Sequence, residues 1–169
     1  MYVIDNRQNN DPAINLALEE YIIRNISFDE DALLFYTDKP AVVVGKNQNV
    51  FQEADLKYLE KNNMGLYRRI SGGGTVYHDP GNLNFTFFSK YEMWKFNNYE
   101  YFNTPVIKAL RKLGLNAYLG DRNDILVDGW KVSGNAQFTS RNRMLSHGTL
   151  LISADLQNLS NALNTDLEI

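Results

Sequence analysis

The apolar positions of the chain change period several times, and each change marks an element. Asp11-Pro12 reads as a helix N-cap followed by proline in the first turn, after which Ile14, Ala17, Leu18, Tyr21 and Ile22 recur at helical spacing. This predicts an amphipathic helix whose apolar face packs on a sheet. Short apolar runs at 32–36 and 41–44 flank Asp38-Lys39-Pro40, as two strands joined by a turn would. Between 53 and 63 charged residues alternate with Leu56 and Leu59, which predicts a short helix ended by Asn62, Asn63 and Gly65.

Leu66-Tyr67-Arg68-Arg69 reads as the next strand, and Asp79-Pro80-Gly81-Asn82 as a turn. Residues 83–87 then alternate with period two, so a hairpin about that turn is expected to bring Asn84 back beside Tyr77 and His78. Thr104-Pro105 opens a predicted helix with Val106, Leu110 and Leu113 on one face and Gly114 past its end, while the aromatic-rich stretch 91–102 supports no single element. Strands are predicted at 117–119, 124–127, 130–138 and 144–152, and Leu156, Leu159 and Leu163 mark a last helix. The order predicts an α+β fold, a mixed and largely antiparallel sheet with helices packed on it.

Composition narrows the chemistry. At 169 residues the chain has single-domain size, and its 44% hydrophobic and 22% charged residues are those of a globular protein. No apolar run approaches the ~20 residues of a bilayer span, and the N-terminus lacks a signal-peptide pattern, so no membrane association and a cytoplasmic location are expected. The absence of cysteine excludes disulfides, thiolate metal sites and a thiol nucleophile within this chain. A net charge of −3 argues against nucleic acid as a partner. Any anionic substrate therefore has to be held by local cations.

The candidate cations stand in Arg68-Arg69-Ile70-Ser71-Gly72-Gly73-Gly74-Thr75-Val76-Tyr77-His78-Asp79. Three side-chain-free residues let backbone N–H groups approach an anion, although the same run is compatible with a flexible connection. It is not a Walker loop, because strand-forming Thr75-Val76-Tyr77 follows where Gly-Lys-Ser/Thr would be needed. Arg68 and Arg69 alternate on a strand, so one of them is expected to face outward. A second stretch, 122–137, holds Asn123-Asp124 and then Lys131-Val132-Ser133-Gly134-Asn135-Ala136. The two histidines, His78 and His147, lack a third ligand at metal-site spacing, which argues against zinc.

Together these stretches resemble the lipoate–protein ligase family, whose motifs have the form RR-x-SGGG-x-V-[FY]-HD and, downstream, ND followed by KVSG-x-A. The resemblance extends to Asn15-Leu16-Ala17-Leu18-Glu19-Glu20-Tyr21 and His147-Gly148-Thr149-Leu150-Leu151, and so spans nearly the whole chain. It implies a fold like that of biotin protein ligases and the catalytic domain of class II aminoacyl-tRNA synthetases. It further implies that lipoate and MgATP give lipoyl-AMP, and that the lipoyl group passes to a lysine of an acceptor lipoyl domain. The acceptors implied are 2-oxoacid dehydrogenase E2 subunits or glycine-cleavage H protein.

On that resemblance Lys131 and Asp124 are the expected catalytic residues. Lys131 bridges acyl carbonyl and phosphate, and Asp124 holds Mg²⁺ or orients the incoming amine, with a solvated turn aspartate as the other possibility. Arg69, Gly74, Thr75, Val76, Tyr77 and Lys131 are expected at ATP, with Tyr77 or Val76 covering the base. Ser71, Gly72, Gly73, His78, Lys131, Gly134 and Ala136 are expected around lipoate. The resemblance also implies that residues 1–169 are a catalytic domain that stops short of its C-terminal part and of the small C-terminal domain. That leaves open a fragment that binds lipoate or its adenylate without full ligase activity. An octanoyl transferase is disfavoured by the missing cysteine, and a biotin ligase by the composition of the glycine run.

Overall fold

The computed structural model describes residues 1–121 and 123–164. In chain order the elements are β1 (Tyr2–Ile4), α1 (Pro12–Asn25), β2 (Ala32–Tyr36), β3 (Ala41–Val44), α2 (Val50–Glu53) and α3 (Leu56–Lys61). These are followed by β4 (Gly65–Arg68), β5 (Val76–His78), β6 (Asn82–Lys90), α4 (Tyr99–Lys112) and β7 (Ala117–Leu119). The last are β8 (Ile125–Val127), β9 (Trp130–Ser133), β10 (Asn135–Ser140), β11 (Arg143–Leu151) and α5 (Leu156–Ala162).

The strands form a five-stranded sheet in the order β1-β2-β6-β11-β10 and two three-stranded sheets, β4-β3-β5 and β7-β8-β9. Among the described residues only β1–β2 and β3–β4 pair in parallel. The α+β expectation, with its mostly antiparallel pairing, is met. The expected hairpin is not: β5 pairs with β3, while β6 runs between β2 and β11 in the other sheet. The turn at 79–82 thus carries the chain from one sheet to the other. Asn82 ties the crossing by donating through Nδ2 to the carbonyl of Tyr77 at 2.8 Å. Likewise the run expected as one strand at 130–138 divides at Gly134 into β9 and β10, which belong to different sheets.

Helix α1 begins where the sequence indicates, with the Asp11 side chain accepting from Ala13 N–H and Pro12 in the first turn. Its buried face differs from the expected one. Ile14 and Tyr21 are exposed, and Ala17 with them, whereas Pro12, Asn15, Glu19, Ile22 and Ile23 are buried. Two polar side chains thus face inward, and they have buried partners described below. Helix α4 starts at Tyr99, capped by the Asn98 side chain on Tyr101 N–H, and Pro105 lies inside it rather than at its start. The helix expected across 53–63 is α3, which is shorter, and a separate helical turn, α2, precedes it and ends at Glu53.

The core lies in layers around the five-stranded sheet. One face packs Ile22, Ile23, Leu34, Phe88 and Leu145, and the other packs Leu33, Phe85, Phe87, Phe102, Met144 and Leu150. Phe85 is fully enclosed in the second layer, so Phe85→Ala is expected to lower unfolding free energy by about 3–5 kcal/mol. Urea denaturation checks this through the midpoint at unchanged slope.

Candidate active site

A cavity of about 310 Å³ opens between the β4-β3-β5 sheet, the five-stranded sheet and the β8–β9 hairpin. Arg69, Gly73, Gly74, Thr75, Val76, His78, Asp124, Lys131, Gly134 and Ala136 all line it. The triglycine loop and Lys131, distant in sequence, therefore face one space. Lys131 is 58% exposed at its side chain and pairs with Asp124, Nζ to Oδ1, at 3.0 Å. Both belong to the β8–β9 hairpin region, so the carboxylate orients the ammonium locally.

Three expected residues lie off the cavity wall. Tyr77 packs in the core with Val42, Val44, Ala54 and Leu59, because alternation along β5 turns Val76 and His78 to the cavity and Tyr77 away. Its ring is therefore not placed to cover a base, which leaves Val76. Ser71 is buried beneath the loop, and Gly72 contributes its carbonyl to Arg69. Arg122 lies outside the described residues.

Both arginines are committed to backbone. Arg69, buried, donates from Nη2 to the carbonyls of Gly72 at 2.7 Å and Gly74 at 2.6 Å, from Nη1 to Val43 at 3.2 Å, and from Nε to Ser71 Oγ at 3.1 Å. The guanidinium expected to meet ATP directly is instead the centre around which the glycine loop is wound. Burial lowers its pKa, an effect that Glu19 and Tyr36 oppose. Arg68, exposed, donates from Nη1 to the carbonyls of Gly45, Lys46 and Gln48. Gly45 and Gly73 must be glycine for this packing: a Cβ at Gly45 would stand 2.0 Å from the Gly73 carbonyl oxygen, and Gly73 itself has φ +89°.

Sequence reasoning missed the polar floor of the cavity. Glu19, from the inward face of α1, accepts from Tyr36 Oη at 3.0 Å and from Thr86 Oγ1, and it meets His147 Nδ1 at 3.0 Å. His147 Nε2 in turn lies 2.6 Å from Ser71 Oγ, so a buried relay runs from Glu19 through His147 and Ser71 to Arg69 and the glycine loop. Carboxylate, imidazole and hydroxyl have the order of a hydrolase triad, but Ser71 is 1% exposed and does not line the cavity. The relay positions the loop. Burial alone would push the Glu19 carboxyl up; the charge and hydrogen bond of His147, with the two hydroxyls, outweigh it and hold the carboxyl below its ordinary value. Burial, and then the Glu19 and Asp38 carboxylates, push the Tyr36 hydroxyl well above its usual value, so it remains a donor.

A second buried carboxylate stands beside the first. Asp38, expected in a turn, is 0% exposed: Oδ1 accepts from Asn15 Nδ2 at 2.8 Å, while Oδ2 meets His78 Nδ1 at 2.8 Å and Asn84 Nδ2 at 3.3 Å. Each histidine thus has its Nδ1 on a carboxylate, which is a structural role for that nitrogen. A signal for both was present, since these are the chain's only histidines and both carboxylates flank apolar segments.

Residues 11–169 match the family described as the lipoyl protein ligase A/B catalytic domain. A lipoate–protein ligase of Bacillus subtilis is 49% identical over 163 residues, which cover 96% of this chain and 49% of that protein. Lipoate–protein ligase 1 of Staphylococcus aureus is 46% identical over 166 residues, covering 98% of this chain and 51% of that protein. The chain thus spans about half the length of these curated relatives. Among solved structures, a lipoate protein ligase from Thermoplasma acidophilum with bound lipoic acid matches at TM-score 0.87 and 31% identity, over 98% of this chain and 73% of that one. A lipoate–protein ligase A bound with ATP matches at TM-score 0.84 and 32% identity, over 90% of this chain and 67% of that one.

Two outcomes follow from the relay and the loop. A carboxyl lowered on folding contributes stability above its unfolded value, and loses it as pH falls through the ordinary 4.5 toward the folded value. Glu19→Gln is therefore expected to be less stable at neutral pH and to lose less stability over that acid interval, measured by urea midpoints as a function of pH. Gly45→Ala is expected to displace the glycine loop, read as faster amide exchange at residues 72–74 in hydrogen-exchange mass spectrometry.

Proposed function

Because the chain belongs to the lipoyl protein ligase A/B catalytic-domain family, we propose that its cavity binds lipoate and ATP and joins them as lipoyl-AMP. The observation that carries this is the convergence of Lys131 and the triglycine loop on one space. A lipoate carboxylate oxygen attacks the α-phosphorus and pyrophosphate leaves. Both reactants are anions, so the step needs fixed donors and positive charge where they meet. Lys131 supplies the ammonium, spanning the acyl carbonyl and an α-phosphate oxygen. Arg69 acts through the loop it holds and through its buried charge; Gly74, Thr75 and Val76, which line the cavity, take the nucleotide, and Gly73 lies on the acyl side.

In the second step a lysine amine of an acceptor lipoyl domain attacks the acyl carbonyl. The amine proton is lost to solvent or a nearby base, and AMP departs. Acceptors of the 2-oxoacid dehydrogenase E2 or glycine-cleavage H-protein type, in the cytoplasm, are the proposed partners. A relative of known structure, the bi-partite ligase of Thermoplasma acidophilum, is described together with its E2 lipoyl domain and matches at TM-score 0.86 and 34% identity, over 94% of this chain and 64% of that one. Gly134 and Ala136 line the cavity with little or no side chain, which leaves room for the acyl group, and Gly134 faces the Lys131 side chain.

Among the described residues no three His, Cys, Asp or Glu side chains cluster to hold a metal. One carboxylate with phosphate oxygens and water is nonetheless an ordinary Mg²⁺ donor set, and Asp124 would provide that carboxylate. When bound, Mg²⁺ would neutralise charge on the phosphates. Asp124 also keeps the Lys131 ammonium aimed into the cavity, at 3.0 Å.

Since the chain covers about half the length of its curated relatives, binding of lipoate without completed transfer is the second reading. Incubation with lipoate, MgATP and an acceptor lipoyl domain separates the two. An acceptor mass increase by one lipoyl group is expected for the ligase, and lipoate binding alone for the binding-only form. Lys131→Ala is expected to lower the rate of adenylate formation by about 10²–10³, the usual cost of one preorganised donor. An unchanged rate of pyrophosphate release in the variant would remove Lys131 from that role.

A further inference from the structure

Of the two partners in the Lys131–Asp124 pair, the carboxylate is the better anchored: the Asp124 side chain is 17% exposed against 58% for Lys131. Where the ammonium stands is therefore set by what holds Asp124. The residue before it, Asn123, has φ +64°, in the left-handed region that asparagine tolerates, and Gly120 N–H closes the loop on the Asp124 carbonyl at 2.7 Å. The Asn123 carbonyl accepts from two amides on different elements, Asn135 Nδ2 of β10 at 2.8 Å and the buried Asn103 Nδ2 of α4 at 3.4 Å. A peptide unit is planar, so a carbonyl held from two sides fixes the plane from which the Asp124 Cα departs.

The Asn135 amide reaches further. Its nitrogen carries two hydrogens and also stands 3.4 Å from Ser133 Oγ, two residues beyond Lys131 on β9. One group thus ties the limb that carries Asp124 to the strand that carries Lys131, and both to the five-stranded sheet that β10 edges. The carbonyl dictates the amide's orientation, since the reverse would set two oxygens against each other at 2.8 Å. Asn135 also has a seat. It stands opposite Gly148 on β11, where a Cβ would come within 2.2 Å of Asn135 Oδ1 and 2.6 Å of Phe85 Cζ. The side chain occupies the space that glycine leaves, which narrows the rotamers open to it.

We propose that Asn135, with Asn103 behind it, is a positioning residue for adenylate formation: it clamps the Asn123 carbonyl and, through Asp124, presents the Lys131 ammonium to the cavity. The inference rests on the proposed ligase function and adds the two amides on which the Lys131 geometry depends. Two rival roles are distinct in their consequences. An amide that only satisfies a turn carbonyl would affect stability without acting through Asp124. Asn135 lines the cavity, and its Oδ1 has no partner among the described residues, so a direct ligand contact is the other rival. That contact would show in KM.

The rate of pyrophosphate release from lipoate and MgATP, measured on the whole chain, tests this. Asn135→Ala is expected to lower kcat about tenfold while KM for both substrates stays within about twofold, as for lost alignment and not lost ground-state binding. In an Asp124→Ala background the same substitution is expected to cost less than about twofold, because the residue through which it acts is already gone. Hydrogen-exchange mass spectrometry without substrates is expected to show faster exchange at residues 123–126 in Asn135→Ala. Asn103→Leu, close in volume and favourable in a helix, removes the second amide; it is expected to give a smaller loss of the same kind and serves if the alanine variant does not fold. Unchanged kcat, a raised KM at constant kcat, losses that multiply in the double variant, or unaltered exchange at 123–126 would each overturn the inference. If the parent releases no pyrophosphate, the proposed function itself falls, an outcome distinct from an active parent indifferent to Asn135.

Discussion

The cavity depends on one buried cation. Arg69 sits in low-dielectric surroundings, and the cost of its desolvation is offset by carbonyls and a hydroxyl gathered around the guanidinium plane. Those acceptors include the carbonyls of Gly72 and Gly74, so satisfying the charge is the same event as shaping the loop. Lysine could not substitute: its single ammonium lacks the planar spread of donors that reaches both carbonyls, the β3 backbone and Ser71 together. The loop's shape in turn requires Gly45 and Gly73 to pass within contact distance.

Ser71 joins this cation to a second buried charge. Its hydroxyl accepts from Arg69 and touches His147, which rests on Glu19, so an anion on α1 and a cation after β4 are balanced through two intermediates. Buried charges without such compensation would be expensive. Asp38 with His78, Asn15 and Asn84 repeats the solution a few residues away. Two carboxylate–imidazole pairs thus brace the inner wall, which explains why so many ionisable groups stand in and beneath the cavity.

Local patterns in the sequence carried much of this. The Arg-Arg-Ile-Ser-Gly-Gly-Gly run, the strand after it and the Lys131 hairpin were legible because their chemistry is written in consecutive residues. The inward face of α1 was not, since periodicity identifies buried apolar faces, and this one buries Asn15 and Glu19. Their partners stand far along the chain: Glu19 meets His147 across 128 positions, and Asp38 meets His78 across 40. Asp38 read only as part of a turn for the same reason. The direction of Tyr77 and the division of β5 and β6 between two sheets were likewise settled by tertiary pairing, which a two-residue alternation cannot reveal.

The β8–β9 hairpin carries both members of the Lys131–Asp124 pair, one just before β8 and one on β9. A lysine on its own would sweep a wide arc about four rotatable bonds. Here the anchor and the anchored amine ride on the same small sheet, joined to the main one through Gly134. The hairpin is therefore a jig: the height of the ammonium above the glycine loop is set by how that sheet seats on its neighbour, and only secondarily by torsions of the lysine itself.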